Sequence, residues 1–138
     1  MEFISNTNNL ILLALMLVSG SLLFAPNLQA LIQGKSGVSP SIATQLINRN
    51  KANIIDIRRI EDFQVGHIAR ARHLAAEDLM ASLPGLKLDK SAPLILVCDN
   101  GSKSSAFVSR IQREGFADVV CLDGGIKAWN LAGLPLVK

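Results

Sequence analysis

The side chains in this 138-residue chain best suited to covalent or acid–base chemistry are Cys98, Cys121, His67 and His73. Cys98 follows the apolar run Leu94–Ile95–Leu96–Val97 and opens the stretch Cys98–Asp99–Asn100–Gly101–Ser102–Lys103, ahead of a helical pattern that begins near Ser104. A cysteine at a strand end, facing a helix N-terminus across a loop of small residues, meets free amide hydrogens and the positive end of a helix dipole. Both favour the thiolate, and such placement brings a thiol pKa from about 8.5 to between roughly 3.5 and 7.5. Gly101 lets the backbone turn inward so that successive N–H groups point at the sulfur. The chemistry this allows is nucleophilic attack by Cys98. The alternative is a small buried hydrophobe.

The remaining candidates read as structural. Cys121 lies inside the apolar run Val119–Leu122 and is expected to be inert, and His67, after Gly66 and before Ile68, fits a turn. An ionised thiol needs no general base. Asp56 and Arg58 fit a pair that holds the sheet edge, Trp129 fits core or a lid, and Gly124–Gly125 lacks the wider glycine pattern of a phosphate loop. His67 and His73 are poorly spaced for a metal, and no second cysteine stands near Cys98 at ligand spacing. No metal and no cofactor are expected. Two cysteines outside any C-x-x-C pair make no disulfide framework. Lys and Arg number 14 against 11 Asp and Glu, a net charge of +3, but they are scattered and no Tyr is present for base stacking. Nucleic acid is not an expected partner.

Several elements must position Cys98. Ser39 and Pro40 are a helix start, with Ile42, Leu46 and Ile47 on one face. Asn53–Ile57, Leu94–Val97 and Val119–Leu122 are predicted strands, and the middle one is apolar throughout, as a strand buried on both faces should be. Helices are predicted over Ser104–Glu114, closed by Gly115, and around Ile126–Trp129. Strands alternating with helices imply a parallel sheet covered on both faces, with ligands at the strands' carboxyl ends. Cys98 stands at such an end.

The N-terminus has a different character. Phe3 to Gly34 carries no charge, and Leu10–Ala25 is almost wholly apolar. A cleaved signal peptide would want a basic n-region and a small-x-small site, and neither is present. The predicted arrangement is one transmembrane helix within residues 1–32, spanning about 10–29, then a linker at 33–38 and a domain over 39–138. Lys35, Arg49 and Lys51 all follow the span, which predicts a single-pass membrane protein with its domain facing the cytoplasm.

From about Val38 to Val137 the chain resembles a single rhodanese (sulfurtransferase) domain. Asp56–Ile57–Arg58 is similar to that family's D-x-R motif, and Phe63–Gln64–Val65–Gly66–His67–Ile68 to its F-x-x-GHI segment. The loop CDNGSKS, residues 98–104, is similar to C-x-x-G-x-R-S. Gly115–Phe116 followed by Asp123–Gly124–Gly125–Ile126 and Trp129 resembles the family's ending. The resemblance implies a three-layer α/β domain with a central five-stranded parallel sheet, and transfer of a sulfane sulfur through a Cys98 persulfide to a thiol or cyanide acceptor. It implies a small donor such as thiosulfate or a protein persulfide, and a substrate-binding loop of Asp99, Asn100, Gly101, Ser102, Lys103 and Ser104. Related phosphatases place Arg where this chain has Ser104, which argues against phosphatase activity. Lys103 stands where the family has Arg and Asp99 where a basic residue is frequent, so a dianionic donor is predicted to be poor. Arg70 replaces a small residue and reads as surface. The rival reading is a membrane-tethered binding or regulatory module on the same fold with little free-standing activity.

Overall fold

The structure, a computed structural model, describes residues 7–24 and 37–138. The chain divides into two units, residues 1–31 and 32–138. In the first, helix α1 runs Thr7–Phe24. Among the described residues no helix is long and apolar enough to cross a membrane. This corrects the predicted transmembrane span and the single-pass, cytoplasm-facing localisation built on it. The 18 residues of α1 rise about 27 Å, and a hydrocarbon core of about 30 Å needs about 20 apolar residues. Its first turn is Thr7, Asn8 and Asn9, so the apolar stretch starts only at Leu10. The predicted span beyond Phe24 and the linker up to residue 36 lie outside the described residues.

The second unit is built on five strands: β1 (Gly37–Val38), β2 (Asn53–Asp56), β3 (Arg72–His73), β4 (Leu94–Val97) and β5 (Val119–Leu122). Their order is β1-β5-β4-β2-β3, and every neighbouring pair is parallel. The α/β architecture with a five-stranded parallel sheet is therefore present. The three inner strands coincide with predicted ones: β4 and β5 are apolar at every position, as suits strands covered on both faces, while β2 has Asn53 at its start and the buried Asp56 at its end. Leu94, Ile95, Leu96 and Val97 are all buried. The edge strands carry no such signal, and Gly37 and Val38, read from the sequence as the end of a linker, pair with Cys121 and Leu122.

Side-chain alternation then sorts the core. Ile55, Leu94, Leu96, Cys98, Val119 and Cys121 share one face, where they pack with Leu79 and Leu83 on one side and Val108, Ile111 and Phe116 on the other. Leu79 and Leu83 come from α4 (Leu79–Ser82) and a 3₁₀ turn (Leu83–Leu86), Val108 and Ile111 from α6 (Val108–Gln112), and Phe116 from the loop before β5. The opposite face takes the buried residues of α2 (Pro40–Asn50), Ala43 and Leu46, and of α7 (Gly125–Leu131), Ile126 and Trp129. Helix α2 starts as its sequence dictates: Ser39 Oγ accepts the Ile42 N–H at 3.3 Å and Pro40 fills the first turn. The helix predicted from Ser104 to Glu114 is instead two short helices, α5 (Ser102–Ser105) and α6. Between them the Phe107 N–H reaches back to the Ser104 carbonyl at 3.1 Å, a tighter 3₁₀-type turn. The cysteine loop fixes the first of these helices and burial of Val108 and Ile111 orients the second. One further helix, α3 (Ile60–Val65), connects β2 to the chain before β3.

Candidate active site

Cys98 leaves the carboxyl end of β4 with its side chain buried, 2% exposed. The Gly101 N–H donates to Cys98 Sγ at 2.9 Å. Gly101 has φ +90°, a conformation open to glycine, and a Cβ there would stand 3.1 Å from Leu122 O and Gly124 N. Burial pushes the Cys98 thiol up, but the Ser104 hydroxyl and the amides of Ser104, Asn100 and Gly101 outweigh it. The thiol is held below the ordinary cysteine value. Ser104 Oγ is fully buried and makes no hydrogen bond of regular geometry. Its effect on the sulfur is that of a nearby dipole, and the Gly101 amide is the firmer contact.

Helix α7 fixes the direction of these amides. The Ile126 N–H donates to the Cys98 carbonyl at 2.9 Å and the Lys127 N–H to the Asp99 carbonyl at 3.3 Å. Carbonyl and N–H point opposite ways across a trans peptide, so holding the Asp99 carbonyl on α7 turns the Asn100 N–H toward the sulfur. Gly125 makes this approach possible. Its φ is +58°, and a Cβ there would overlap the Cys98 carbonyl and come within 2.6 Å of Asp99. On the outer side Asn100 Oδ1 accepts from the Ser102 N–H at 3.1 Å and from the Ser102 hydroxyl at 2.7 Å, closing an Asx turn.

All seven residues predicted from the loop are thus brought together. Gly101, Ser104 and the Asn100 amide act on the sulfur. The side chains of Asn100 and Ser102 bind each other. Asp99 and Lys103 are exposed and, with Cys98, line a cavity of about 310 Å³. Arg59, Glu61 and Glu77 line the same cavity, and the sequence offered no signal for them, because β2, α3 and the turn before α4 meet only in the fold. The contribution of Gly125 and Ile126 was also missed. The signal was the Gly124–Gly125 pair, one residue beyond the predicted strand Val119–Leu122.

The other candidates are structural, as the sequence suggested. Arg58 is 7% exposed and binds Asp56, with Nη2 to Oδ2 at 2.7 Å and Nε to Oδ1 at 2.9 Å, while Nη2 also donates to the Gly66 carbonyl at 2.8 Å. Burial works against its charge, but the Asp56 hydrogen bonds and charge leave it above its ordinary pKa. His67 Nδ1–H donates to the Phe63 carbonyl at 2.9 Å and its ring stacks on Phe63. His73 Nε2–H donates to the Arg58 carbonyl at 2.7 Å. Cys121 is buried and held above its ordinary pKa by burial, then by the charges of Asp123 and Cys98. Trp129 is buried and its Nε1–H donates to the Pro135 carbonyl at 3.1 Å. Arg70 is exposed, and its φ of +69° explains why a small residue suits that position.

Fold and site define an α/β domain that presents a cysteine, cradled by amides, at the carboxyl end of its central strand. Residues 39–132 match the rhodanese-like domain, and the chain belongs to that family. It is 37% identical over 93 residues to the thiosulfate sulfurtransferase GlpE of Pseudomonas aeruginosa strain LESB58, covering 67% of this chain and 82% of the relative. It is 35% identical over 97 residues to the uncharacterized protein YibN of Escherichia coli K12, covering 70% of this chain and 68% of that one. Among solved structures, a rhodanese-related protein from Thermoplasma volcanium superposes with a TM-score of 0.65 at 22% identity, over 73% of this chain and 96% of the other, a likeness of fold. The chain is thus a member of a sulfurtransferase family.

Proposed function

We propose that the protein is a sulfurtransferase that carries sulfane sulfur as a persulfide on Cys98. The observation that carries this reading is the Gly101 N–H donated to Cys98 Sγ at 2.9 Å, on a thiol held below its ordinary pKa. With thiosulfate as donor, the Cys98 thiolate attacks the outer sulfur, the sulfur–sulfur bond of thiosulfate breaks, and sulfite leaves with the bonding pair. The new Cys98–S–S⁻ places its charge where the loop amides already point. An acceptor thiolate then attacks the terminal sulfur, and Cys98 departs as thiolate, which the same amides stabilise. Each half is a displacement at sulfur, so the cycle uses no metal or cofactor. Asp99 and Lys103, exposed at the cavity, face the incoming donor, and Ser104 lowers the thiol pKa from beneath.

The test is mass spectrometry of the purified protein after exposure to thiosulfate or to a protein persulfide. A gain of one sulfur on the peptide containing Cys98, absent in Cys98→Ser and kept in Cys121→Ser, is the expected result. No gain with either donor would favour a binding module on this fold.

A further inference from the structure

The only Asn–Gly bond in the sequence, Asn100–Gly101, lies inside the Cys98 loop, and Asn100 is exposed to water. In such a pair the glycine backbone nitrogen, with no Cβ beside it, can attack the side-chain carbon of the asparagine and close a succinimide ring. Two things hold that reaction back in an ordinary chain. The nitrogen must shed its proton, and negative charge builds up on the asparagine side-chain oxygen. Both are met here. The Gly101 N–H donates to Cys98 Sγ at 2.9 Å, so a thiolate stands where the proton must go. Asn100 Oδ1 accepts from the Ser102 N–H at 3.1 Å and from the Ser102 hydroxyl at 2.7 Å. Two donors already aimed at the oxygen that will carry the charge make a small oxyanion hole.

The geometry points to Asn100–Gly101 as a self-processing site, where Cys98 and Ser102 promote deamidation of Asn100. The Cys98 thiolate takes the Gly101 N–H proton, the Gly101 nitrogen bonds to Asn100 Cγ, and the Cγ–Nδ2 bond breaks. Nδ2 keeps the bonding pair, receives that proton through water and leaves as ammonia, which restores the thiolate. Water then opens the ring at either carbonyl, giving aspartate or isoaspartate at position 100. The isoaspartate form has one more carbon in its main chain, and neither neighbour can yield to it. The Asp99 carbonyl is held by the Lys127 N–H, and even a Cβ on Gly101 would stand 3.1 Å from Leu122 O and Gly124 N. The Gly101 N–H therefore leaves the sulfur, and Cys98 loses the contact that favours its thiolate. One further consequence rests on the sulfur-transfer reading. A loaded Cys98 carries its charge on the terminal sulfur and cannot take a proton at Sγ, so the loaded protein is spared and the idle protein ages.

The experiment incubates the full chain without donor over a range of pH. The peptide containing residue 100 is then resolved, by mass and chromatography, into its asparagine, aspartate and isoaspartate forms. The same chain unfolded in urea is the reference, and its rate climbs steadily with hydroxide. The folded chain should convert several-fold faster than the reference at neutral pH. Its rate should level off above the pH at which Cys98 ionises, read by iodoacetamide. Ser102→Ala should slow the folded chain by about three- to tenfold, the worth of one hydrogen bond, and leave the rate in urea unchanged. A folded rate no higher than the reference, or one that climbs in parallel with it, would overturn the inference whatever Ser102→Ala does. Thiosulfate is then added to the aged protein. The asparagine form should gain sulfur and the isoaspartate form should not, and protein loaded beforehand should deamidate several-fold more slowly. An isoaspartate form that loads as well as the asparagine form would also count against it. Should the asparagine form itself fail to load, the sulfur-transfer reading falls and the deamidation rates still decide the rest.

Discussion

Cys98 must be charged to attack and buried to be sheltered, and burial opposes charge. Here the Gly101, Asn100 and Ser104 amides with the Ser104 hydroxyl win that contest. Alkylation of Cys98 by iodoacetamide should therefore rise with pH to a plateau with its midpoint below that of an ordinary thiol, while Cys121 responds only at higher pH. Ser104→Ala should move the Cys98 midpoint upward, slowing alkylation several-fold below it and hardly at all well above it. Stability is linked to the same proton. A thiol with a folded pKa below its unfolded value, near 8.5, adds stability that is complete above the unfolded value and lost as pH falls through the folded one. Urea denaturation at a series of pH values should show that slope, and Cys98→Ser should remove it. Donor choice belongs at this scale too. Asp99→Ser should raise kcat/KM for thiosulfate by several-fold up to about tenfold, since one unit charge at about 6 Å amounts to roughly 1–3 kcal/mol before screening, and Lys103→Arg should add to it by restoring a planar fork. Unchanged steady-state kinetics in both variants would show that loop charge does not select the donor.

Among the elements, α7 is the support on which the loop rests, and Gly125 is where the two meet. Gly125→Ala puts an ordinary side chain into a left-handed conformation and drives its Cβ into the Cys98 carbonyl. It should cost about 1–3 kcal/mol of stability and lower sulfur loading at least tenfold. Gly85→Ala, with nothing near its added carbon, should leave loading intact. Thermal melts and loading by mass would check both. The parts of this support that could be read from the sequence are those with a local cause. Leu94–Val97 is apolar at every position because both faces are covered, and Ser39 and Pro40 suit the cap and first position of a helix by their own local chemistry. The loop was legible for the same reason, a cysteine and a glycine at fixed spacing after a strand. Gly37–Val38 and Arg72–His73 were not, because a two-residue edge strand has no periodicity and takes its conformation from its neighbour. Glu61 and Glu77 reach the cavity only through tertiary placement. At the N-terminus an apolar stretch alone reads as a span, whereas among the described residues no helix is long and apolar enough to cross a membrane, and α1 spends its first turn on Thr7, Asn8 and Asn9.

For the second unit as a whole, the Asp56–Arg58 pair ties β2 to Gly66, and the chain after α7 returns to the same place. Backbone bonds of 2.8 Å join His67 and Val137 in both directions. Asp56→Asn leaves the Arg58 guanidinium buried without its counter-charge and should cost about 3–5 kcal/mol. The double variant Asp56→Asn/Arg58→Met, which also removes the charge, should recover part of that loss. Urea denaturation of the parent, single and double variants measures the coupling, and a double variant as unstable as the sum of both singles would show that the two residues act independently.

The sheet order has a consequence for how the thiol comes into being. Among the described residues every pairing between the five strands is parallel, so no two of them join by a hairpin, and β1 lies beside β5. Such a topology has a high contact order and folds slowly. On the ribosome Gly37 and Val38 must wait until Leu122 has emerged, and Cys98 must wait for Gly125 and Ile126 before its carbonyl is held. Until then it is an ordinary thiol, mostly protonated at neutral pH. Pulses of iodoacetamide during refolding should therefore find Cys98 slow at first, and fast only once the C-terminal third of the chain has docked.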